Sequence, residues 1–407
     1  MNCGLLGEKL GHSYSPQIHG MLSNYEYRLY EITPDQLPHF LEIGDFHGLN
    51  VTIPYKKAVI PFCDVLTAEA KKLGAVNTLV RQNDGKLLGH NTDYFGFKSM
   101  LHRSGLNVSN KKALVLGSGG ASATVSAVLE ELGANVVVIS RSGSNNYSNL
   151  NHHKDATLIV NTTPIGMYPN TGVSPLSLDQ FDALEGVLDV IYNPARTNLL
   201  LEAEAKGLIT ENGLWMLVAQ AKESAEWFTG QQIDNSVIAN IHHSLRRNME
   251  NTILIGMPGC GKSTIGEALA KETHRTFIDA DIEIRKEAGM PIADIFENFG
   301  EEYFRKLETK VLAEICKLSG CVIATGGGCV TRRENFPLLH QNGKIIWIQR
   351  PLESLPTDGR PLSQRASLSD MYATRKPMYE AFADATVQNS ACVASIVSRI
   401  IELEDSL

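Results

Sequence analysis

Short runs of apolar residues alternate with longer helical patterns along most of the chain. Four of these runs, each bounded by turn residues, are "ALVLG" (113–117), "NVVVIS" (135–140), "TLIVNTT" (157–163) and "GVLDVIY" (186–192). Continuous apolar runs of this length are typical of parallel strands that are buried on both faces of a sheet. The pattern therefore predicts an α/β protein built on parallel sheets.

The same kind of pattern starts again in the second half of the chain. A helical stretch, "NSVIANIHHSLRRN", ends near residue 248, and a new apolar run, "TILIG", follows at 252–256. With 407 residues, the chain is long enough for two or three domains. We predict three domains, which comprise residues 1–98 together with 224–248, residues 99–223, and residues 249–407.

Composition and charge argue against two classes of function. The hydrophobic share of 43% and the charged share of 20% are typical of globular proteins. Residues 1–248 carry 19 basic and 23 acidic side chains, and the remainder carries 18 and 22, so each half has a net charge of −4. Neither half shows the basic excess of a nucleic-acid binder, and no apolar run reaches the 18 residues of a membrane helix. We therefore expect small-molecule partners.

The cysteines indicate a reducing compartment. They number seven, which is odd, and they form no C-x-x-C pair, so free thiols are favoured over a disulfide framework. The first residues, "MNCGLLGEKLGHSYSP", show neither a secretory signal nor an arginine-rich transit pattern. We therefore expect a cytoplasmic protein.

A first glycine loop lies in "ALVLGSGGASATVSAVLEELGANVVVISRS", which reads as strand, turn, helix and strand. Gly117 and Gly119 take the first two positions of a G-x-G-x-x-G pattern, and Ser122 takes the third. Such a turn lets backbone amides at a helix N-terminus approach a pyrophosphate. The pattern predicts a dinucleotide site at Gly117, Gly119, Gly120 and Ala121, and a plain structural turn is the alternative.

The end of the second strand indicates which dinucleotide binds. NAD sites usually carry an acidic residue about 20 residues after the glycine turn, but this region reads "ISRSGSNN". Ser140 and Arg141 stand there, and a guanidinium can bind a 2′-phosphate through two hydrogen bonds. The sequence therefore favours NADP(H), and a solvated surface arginine is the alternative.

A second glycine loop, "GMPGCGKST" (256–264), satisfies G-x-x-x-x-G-K-[ST] between an apolar strand and a helix. In such loops the backbone amides hold phosphates, the lysine reaches the transferring group, and the hydroxyl binds Mg²⁺. We therefore predict a site for ATP and Mg²⁺, formed by Gly256, Gly259, Cys260, Gly261, Lys262, Ser263 and Thr264.

Seven motifs in the first half follow a recognisable order: "GHSYSP", "NVTIPYK", "GAVNT", "GHNTDYFG", "NTTPIGM", "DVIYNPARTNLL" and "NGLWMLVAQA". With the dinucleotide unit they resemble the shikimate dehydrogenase family over roughly 245 residues. The resemblance implies that Lys56 and Asp93 form the catalytic pair, since a lysine can exchange a proton with the reacting oxygen while a carboxylate holds it. It implies substrate-binding roles for Ser13, Ser15, Thr52, Asn77, Asn91, Tyr192 and Gln220. One departure is Lys9, where the family commonly has proline.

Motifs in the second half, "FIDADIEI", "GEEYFRKLE", "CVIATGGGCV", "DGRPL" and "ATRKPMYEAFA", resemble shikimate kinase over residues 250–407. The resemblance implies that Asp281 accepts the proton and that Asp279 supports the metal with Ser263. It implies that Arg360 is a lid residue that meets the phosphates, and that the substrate contacts Arg305, Arg375, Gly327 and Gly328. By spacing alone, Arg305 with Glu301 and Glu308 also fits an ordinary helix with ion pairs between successive turns. In the lid, Pro356–Thr357 stands where the family often has an Arg–Thr pair.

Together the resemblances imply a bifunctional enzyme of α/β fold. An α/β substrate domain and a Rossmann NADP domain would reduce 3-dehydroshikimate with NADPH, and a P-loop domain would then phosphorylate shikimate with ATP. One alternative is a quinate or polyol dehydrogenase fused to another small-molecule kinase. Another is that one half is a non-catalytic regulatory module. The oligomeric state stays open.

Overall fold

The structure, a computed structural model, describes residues 1–11, 13–355 and 368–406. The chain divides into two compact units. Unit 1 comprises Met1–Met167, Val173–Tyr192 and Leu199–Ser244, and unit 2 comprises Tyr168–Gly172, Asn193–Asn198 and Leu245–Leu407. Within the described ranges, no helix is both long and apolar enough to cross a membrane.

The first sheet of unit 1 is mixed. Its six strands follow the order β2-β1-β3-β5-β6-β4, and β5 runs antiparallel to both of its neighbours while the other pairs are parallel. The strands are β1 (Asn2–Gly7), β2 (Glu26–Glu31), β3 (Gly48–Val51), β4 (Val65–Leu66), β5 (Thr78–Arg81) and β6 (Leu87–His90). The helices are α1 (Ser15–Leu22), α2 (Leu37–Ile43), α3 (Ala68–Leu73) and α4 (Asp93–Ser104).

The second sheet of unit 1 is wholly parallel, in the order β11-β10-β9-β7-β8. The four apolar runs predicted as strands all lie in it, so that prediction is confirmed. The strands are β7 (Lys112–Leu116), β8 (Asn135–Ile139), β9 (Leu158–Asn161), β10 (Gly186–Asp189) and β11 (Ile209–Glu211). The helices that follow α4 are α5 (Gly120–Glu131), α6 (Asn198–Ala205), α7 (Leu214–Thr229) and α8 (Ser236–Met249). The chain order reverses between β7 and β9, and ligands of such sheets bind in the crevice at this point.

The sheet of unit 2 is also wholly parallel, in the order β13-β14-β12-β15-β16. Its strands are β12 (Asn251–Ile255), β13 (Thr276–Asp279), β14 (Cys321–Ala324), β15 (Gly343–Gln349) and β16 (Ala385–Gln388). Its helices are α9 (Lys262–Thr273), α10 (Ala280–Ala288), α11 (Ile292–Ile315), α12 (Asn335–His340), α13 (Leu368–Phe382) and α14 (Val393–Ser406). The chain order reverses between β12 and β15.

Apolar packing on both faces explains the continuous apolar runs. In β7, Leu114 and Leu116 belong to one core cluster of unit 1, and Ala113 and Val115 belong to another. Successive side chains of a strand point to opposite faces of the sheet. A strand with a core on each face therefore needs an apolar residue at every position.

Candidate active sites

A cavity of about 320 Å³ is lined from both sheets of unit 1. It brings together eight of the nine residues predicted for catalysis and substrate binding in the first half, although the first and last of them are 207 residues apart in the chain. These residues are Ser13, Ser15, Thr52, Lys56, Asn77, Asp93, Tyr192 and Gln220. About half of the lining consists of hydroxyl, amide and charged groups, and a site of this kind rejects ligands that leave its polar groups unpaired.

An ammonium–carboxylate pair lies in this cavity. Lys56 Nζ donates to Asp93 Oδ2 at 2.5 Å, and both side chains are only partly exposed. Asp93 is the first residue of α4, where the helix dipole stabilises a negative charge. The pair can therefore hold a proton beside a ligand oxygen while the carboxylate keeps the lysine in place.

A buried hydrogen-bond network fixes the polar wall of the cavity. The Asn77 Oδ1 accepts from the backbone N–H of Thr92 at 2.7 Å, which sets the orientation of this amide. Asn50 Nδ2 donates to Ser224 Oγ at 2.7 Å, and the Tyr27 hydroxyl donates to Asn50 Oδ1 at 2.8 Å. Because these groups form hydrogen bonds with each other, the amides that face the ligand are held in defined positions.

Asn91 is not among the residues that line the cavity. Its side chain is buried, and Nδ2 donates to the carbonyl oxygen of Ala75 at 2.9 Å. Its Oδ1 is buried and has no hydrogen-bond partner among the described residues, and its role close to the substrate stays a prediction. Tyr192 does line the cavity, and burial raises the pKa of its hydroxyl.

A second cavity of unit 1, of about 510 Å³, lies at the carboxyl ends of β7 and β9, where the chain order reverses. Four residues predicted for the dinucleotide line it, namely Gly117, Gly119, Ser140 and Arg141. Gly117 has a φ of +109°, and a Cβ there would lie 2.9 Å from Thr162 Oγ1, so this position requires glycine.

Two other residues predicted for the dinucleotide have different surroundings. Gly120 begins α5, and a Cβ added to it would have no neighbour within 4 Å. Ala121 faces the 320 Å³ cavity. The N-terminus of α5 thus lies between the two cavities. A dinucleotide bound there can extend from its own cavity into the substrate cavity. A glycine turn, a helix N-terminus and the exposed Arg141 fit the pyrophosphate and the 2′-phosphate of NADP(H).

A third cavity, of about 470 Å³, lies in unit 2. Most of the residues predicted for the kinase site line it: Gly259, Gly261, Lys262, Ser263, Thr264, Asp279, Asp281, Arg305, Gly327, Gly328 and Arg375. Gly256 and the buried Cys260 belong to the same loop but do not line the cavity, and they lie close to each other. The predicted lid arginine, Arg360, and Pro356–Thr357 lie outside the described residues.

The P-loop has the backbone that its glycines predict. Gly256 has a φ of +141°, and a Cβ there would collide with the carbonyl oxygen of Ile348. Gly261 has a φ of +100° directly before α9. Lys262 Nζ donates to the carbonyl oxygens of Gly256 at 2.8 Å and of Met257 at 3.1 Å. The ammonium is thus held over the concave side of the loop, where phosphates bind.

Two oxygen ligands suitable for Mg²⁺ lie at the mouth of this loop. Ser263 Oγ donates to Asp279 Oδ2 at 2.7 Å. In the described part of the chain, no group of three or more His, Cys, Asp or Glu residues could hold a metal. Mg²⁺ usually takes only one or two protein oxygens and completes its shell with phosphates and water. The donor set therefore fits Mg²⁺ bound together with a nucleotide.

The opposite wall of the cavity is built around three glycines after β14. A Cβ at Gly326 would lie 2.7 Å from Glu308 Oε1 and 3.0 Å from Asp281 Oδ1. A Cβ at Gly327 would lie 2.6 Å from Cδ of Pro258, and one at Gly328 would collide with the Arg305 guanidinium. Glycine is thus required at all three positions because the backbone passes directly against charged side chains and the P-loop.

Two arginines, the buried Glu308 and the half-buried Asp281 lie around the glycine turn. Arg305 Nη1 donates to Glu308 Oε2 at 2.7 Å, and Arg375 Nη1 donates to the carbonyl of Gly327 at 3.3 Å. The ion-paired helix considered as an alternative is therefore present, but its arginine also lines the cavity. Burial and the neighbouring Asp279 raise the pKa of Asp281. The site can bind a carboxylate and receive a proton from a hydroxyl.

Several lining residues were not predicted from the sequence. Tyr147 lines the dinucleotide cavity, and Arg350 lines the kinase cavity together with Phe296 and Phe304. Phe304 lies inside the quoted motif "GEEYFRKLE", next to the predicted Arg305, whereas the other three belong to no quoted motif. Arg350 directly follows an apolar strand, and this position was the available signal.

The folds and sites define the class of protein: a dinucleotide-dependent oxidoreductase joined to a P-loop kinase. Family models match as "Shikimate dehydrogenase substrate binding domain" over residues 5–79 and as "Shikimate kinase" over residues 258–404. The shikimate dehydrogenase (NADP(+)) of Clostridium perfringens strain SM101 is 37% identical over 265 residues, which cover 60% of this chain and 97% of the relative. The chain therefore belongs to the shikimate dehydrogenase family and carries a shikimate kinase domain at its C-terminal side.

Two solved structures are similar to the first part of the chain. The shikimate 5-dehydrogenase from Thermus thermophilus in complex with NADP(H) and shikimate has a TM-score of 0.55 and 32% identity, covering 60% of this chain and 99% of that chain. The quinate dehydrogenase from Corynebacterium glutamicum in complex with NAD has a TM-score of 0.55 and 27% identity, covering 60% and 98%.

Proposed function

We propose that the chain catalyses two consecutive reactions. Unit 1 reduces 3-dehydroshikimate to shikimate with NADPH, and unit 2 transfers the γ-phosphoryl group of ATP to the 3-hydroxyl of shikimate. The observation that carries the proposal is the convergence of the predicted residues on two polar cavities, each beside a glycine loop at a strand-order reversal. The product of the first site is the acceptor of the second.

In the first reaction, the residues of unit 1 bind and protonate the substrate. Ser13, Ser15 and Asn77 supply hydrogen bonds to ring hydroxyl and carboxylate groups. NADPH, which Gly117, Gly119 and Arg141 would hold, would supply a hydride to the carbonyl carbon. As the carbonyl becomes an alcohol, the Lys56 ammonium donates a proton to its oxygen, and Asp93 holds the lysine toward that oxygen.

In the second reaction, unit 2 positions an alcohol against a triphosphate. Arg305 and Arg375 bind the carboxylate of shikimate, and Asp281 accepts the hydroxyl proton as the oxygen forms its bond to phosphorus and ADP leaves. Lys262 lies where it neutralises charge on the phosphates. Mg²⁺, held by Ser263 and Asp279, would supply further charge neutralisation.

The test is a single assay mixture that contains the full chain, 3-dehydroshikimate, NADPH, ATP and Mg²⁺. We expect shikimate 3-phosphate to form with stoichiometric consumption of NADPH. Accumulation of shikimate without phosphorylation would reject the kinase assignment, and no NADPH oxidation would reject the dehydrogenase assignment.

Two variants separate the sites. Lys56→Ala is expected to abolish NADPH oxidation and leave shikimate phosphorylation, and Lys262→Ala is expected to do the reverse. Loss of both activities in a folded single variant would contradict two independent sites. That result would instead favour the alternative in which one half is a non-catalytic regulatory module.

The remaining alternative concerns the substrate of the first site. The likeness to a quinate dehydrogenase makes quinate the relevant competitor. Oxidation of shikimate and of quinate should be compared at equal concentration, with NADP⁺ and with NAD⁺. Faster oxidation of quinate would overturn the shikimate assignment.

We also propose the organisation and setting of the enzyme. A substrate domain (1–98 with 224–248), an NADP domain (99–223) and a kinase domain (249–407) are supported by the three separate sheets. A cytoplasmic location is supported by seven free cysteines. The partners are the small molecules of the two reactions, and the balanced charge of each half supports the expectation that no nucleic acid binds.

A further inference from the structure

Arg350 occupies the point of unit 2 where the chain order of the sheet reverses. It directly follows β15, which pairs in parallel with β12 so that Ile255 lies opposite Trp347. Both strands therefore end at the same edge of the sheet, and Gly256 begins the P-loop there. In open parallel sheets, ligands bind in the crevice at this edge.

The guanidinium of Arg350 faces the phosphate loop. Arg350 lines the same cavity as Lys262 and Ser263, and its Nη1 lies 3.5 Å from the carbonyl oxygen of Gly259. A hydrogen bond of this length is weak and exchanges readily for a better acceptor. The side chain is half-buried, so part of its charge is shielded from water.

Arg350 differs from the other cavity arginines in its partners. Arg305 is paired with Glu301 and Glu308, and Arg375 donates to the Gly327 carbonyl on the acceptor side. Among the described residues, Arg350 forms no ion pair with a carboxylate. A half-buried guanidinium without a counter-charge beside a phosphate loop favours an anionic ligand.

The backbone beneath Arg350 is firmly held. The N–H of Asn389, after β16, donates to the carbonyl oxygen of Gln349 at 2.6 Å, and its Nδ2 donates to the Cys260 carbonyl at 2.7 Å. The strand end and the P-loop are thus fastened to each other through one residue. Arg350 is presented from a rigid strand end, and little ordering is needed when a ligand binds.

We propose that Arg350 is a nucleotide-binding residue of the kinase site that engages the phosphate groups of ATP on the Gly259 side of the loop. This inference deepens the proposed kinase function and rests on it. Lys262 and Arg350 then hold the polyphosphate from two sides, while Arg305 and Arg375 are left to the acceptor.

The test measures binding of ADP and of adenosine to the full chain by calorimetry, for the parent, Arg350→Ala and Arg350→Lys. Loss of a charge-assisted contact should raise the Kd of ADP about tenfold to a hundredfold in Arg350→Ala, with a smaller rise in Arg350→Lys. Adenosine affinity should stay unchanged. The control is Arg332→Ala, which removes a cation paired with Glu302 and Glu334 in the same unit.

The outcomes separate this inference from the proposed function. Unchanged ADP affinity in Arg350→Ala would overturn it, and so would an equal loss for ADP and adenosine, which would place the residue at the base. Dehydrogenase activity of the same preparation and the Kd of shikimate report correct folding. ADP binding needs no acceptor, so failure of shikimate phosphorylation in the parent would reject the kinase assignment separately.

Discussion

The side-chain amide of Asn50 donates a 2.7 Å hydrogen bond to the hydroxyl of Ser224, which lies 174 residues further along the chain. The Ser224 hydroxyl in turn donates to the Gln220 carbonyl at 2.9 Å and lies 3.0 Å from the Thr92 hydroxyl. Thr92 holds the Asn77 amide through its backbone N–H. One buried hydroxyl thus connects two residues of the substrate cavity, Asn77 and Gln220, to the sheet behind them.

We predict that Ser224→Ala lowers kcat/KM for 3-dehydroshikimate about tenfold and destabilises unit 1 by about 1–3 kcal/mol, because an Asn50 donor loses its best acceptor. KM should rise more than kcat falls. Steady-state kinetics and urea unfolding measure these effects, and shikimate phosphorylation should be unaffected. The matched control is Ser126→Ala, because the Ser126 hydroxyl is buried and has no hydrogen-bond partner among the described residues. Equal effects of the two changes would contradict a positioning role for Ser224.

Replacement of Arg141 tests the choice of dinucleotide. Arg141→Ala should raise KM for NADPH about tenfold to a hundredfold and leave KM for NADH nearly unchanged, because only NADPH carries the 2′-phosphate. Kinetics with each cofactor measure the ratio. The control is Lys154→Ala, an exposed cation that does not line the dinucleotide cavity. A similar rise in KM for both cofactors would show that Arg141 does not read the 2′-phosphate.

A backbone prediction concerns Gly300, which interrupts α11 with φ +80° and ψ 175°. This region is almost exclusive to glycine, so Gly300→Ala should cost about 1–3 kcal/mol. Because the bend precedes Arg305 by little more than one turn, KM for shikimate in the kinase reaction should also rise. Gly20→Ala is the control, since Gly20 lies inside α1 with no neighbour within 4 Å of an added Cβ. A stable Gly300→Ala variant with unchanged KM would contradict the prediction.

A pH-dependent effect is expected at Glu223 in α7. Burial raises the pKa of Glu223, whereas the facing His90 lowers it, and Glu226 and Glu69 also face it. A carboxyl with a raised pKa in the folded state holds its proton more tightly than in the unfolded chain. Its contribution to stability is therefore present at low pH and lost as the pH rises through the raised pKa.

Accordingly, Glu223→Gln should gain stability relative to the parent as the pH rises from 5 to 8. Urea unfolding at both pH values measures the change in the free energy of unfolding. Glu130→Gln, which neutralises an exposed carboxylate, serves as control and should show no such gain. If the stability of Glu223→Gln relative to the parent fell as the pH rises, a raised pKa of Glu223 would be contradicted.

The parts of the fold that depend on local sequence were predictable. The four apolar runs form β7 to β10, since a strand buried on both faces needs apolar residues throughout. The two glycine loops were predictable for a similar reason, because Gly117, Gly256 and Gly261 adopt backbone angles that other residues rarely adopt.

Contacts between distant segments were not predictable in this way. Nothing near Ser224 in the sequence indicates Asn50, and nothing near Arg350 indicates Gly259, since the sheets create both contacts. The role of Asn91 stays a prediction, because its Nδ2 donates to the Ala75 carbonyl while its buried Oδ1 has no hydrogen-bond partner among the described residues. Local patterns encode strands and turns, whereas side-chain partners depend on strand order.

Tyr14 and Tyr192 contact each other edge to face, with ring centroids 6.2 Å apart and planes at 76°. Tyr14 directly precedes α1, which belongs with the first sheet of unit 1. Tyr192 follows β10, which belongs to the second sheet. Edge-to-face pairs form when the ring centroids are about 4.5–7 Å apart. The distance between the two rings therefore reports the distance between the two sides of the dehydrogenase cavity. A fluorine label on either ring would detect a change in that distance by NMR, and the catalytic pair would stay unchanged.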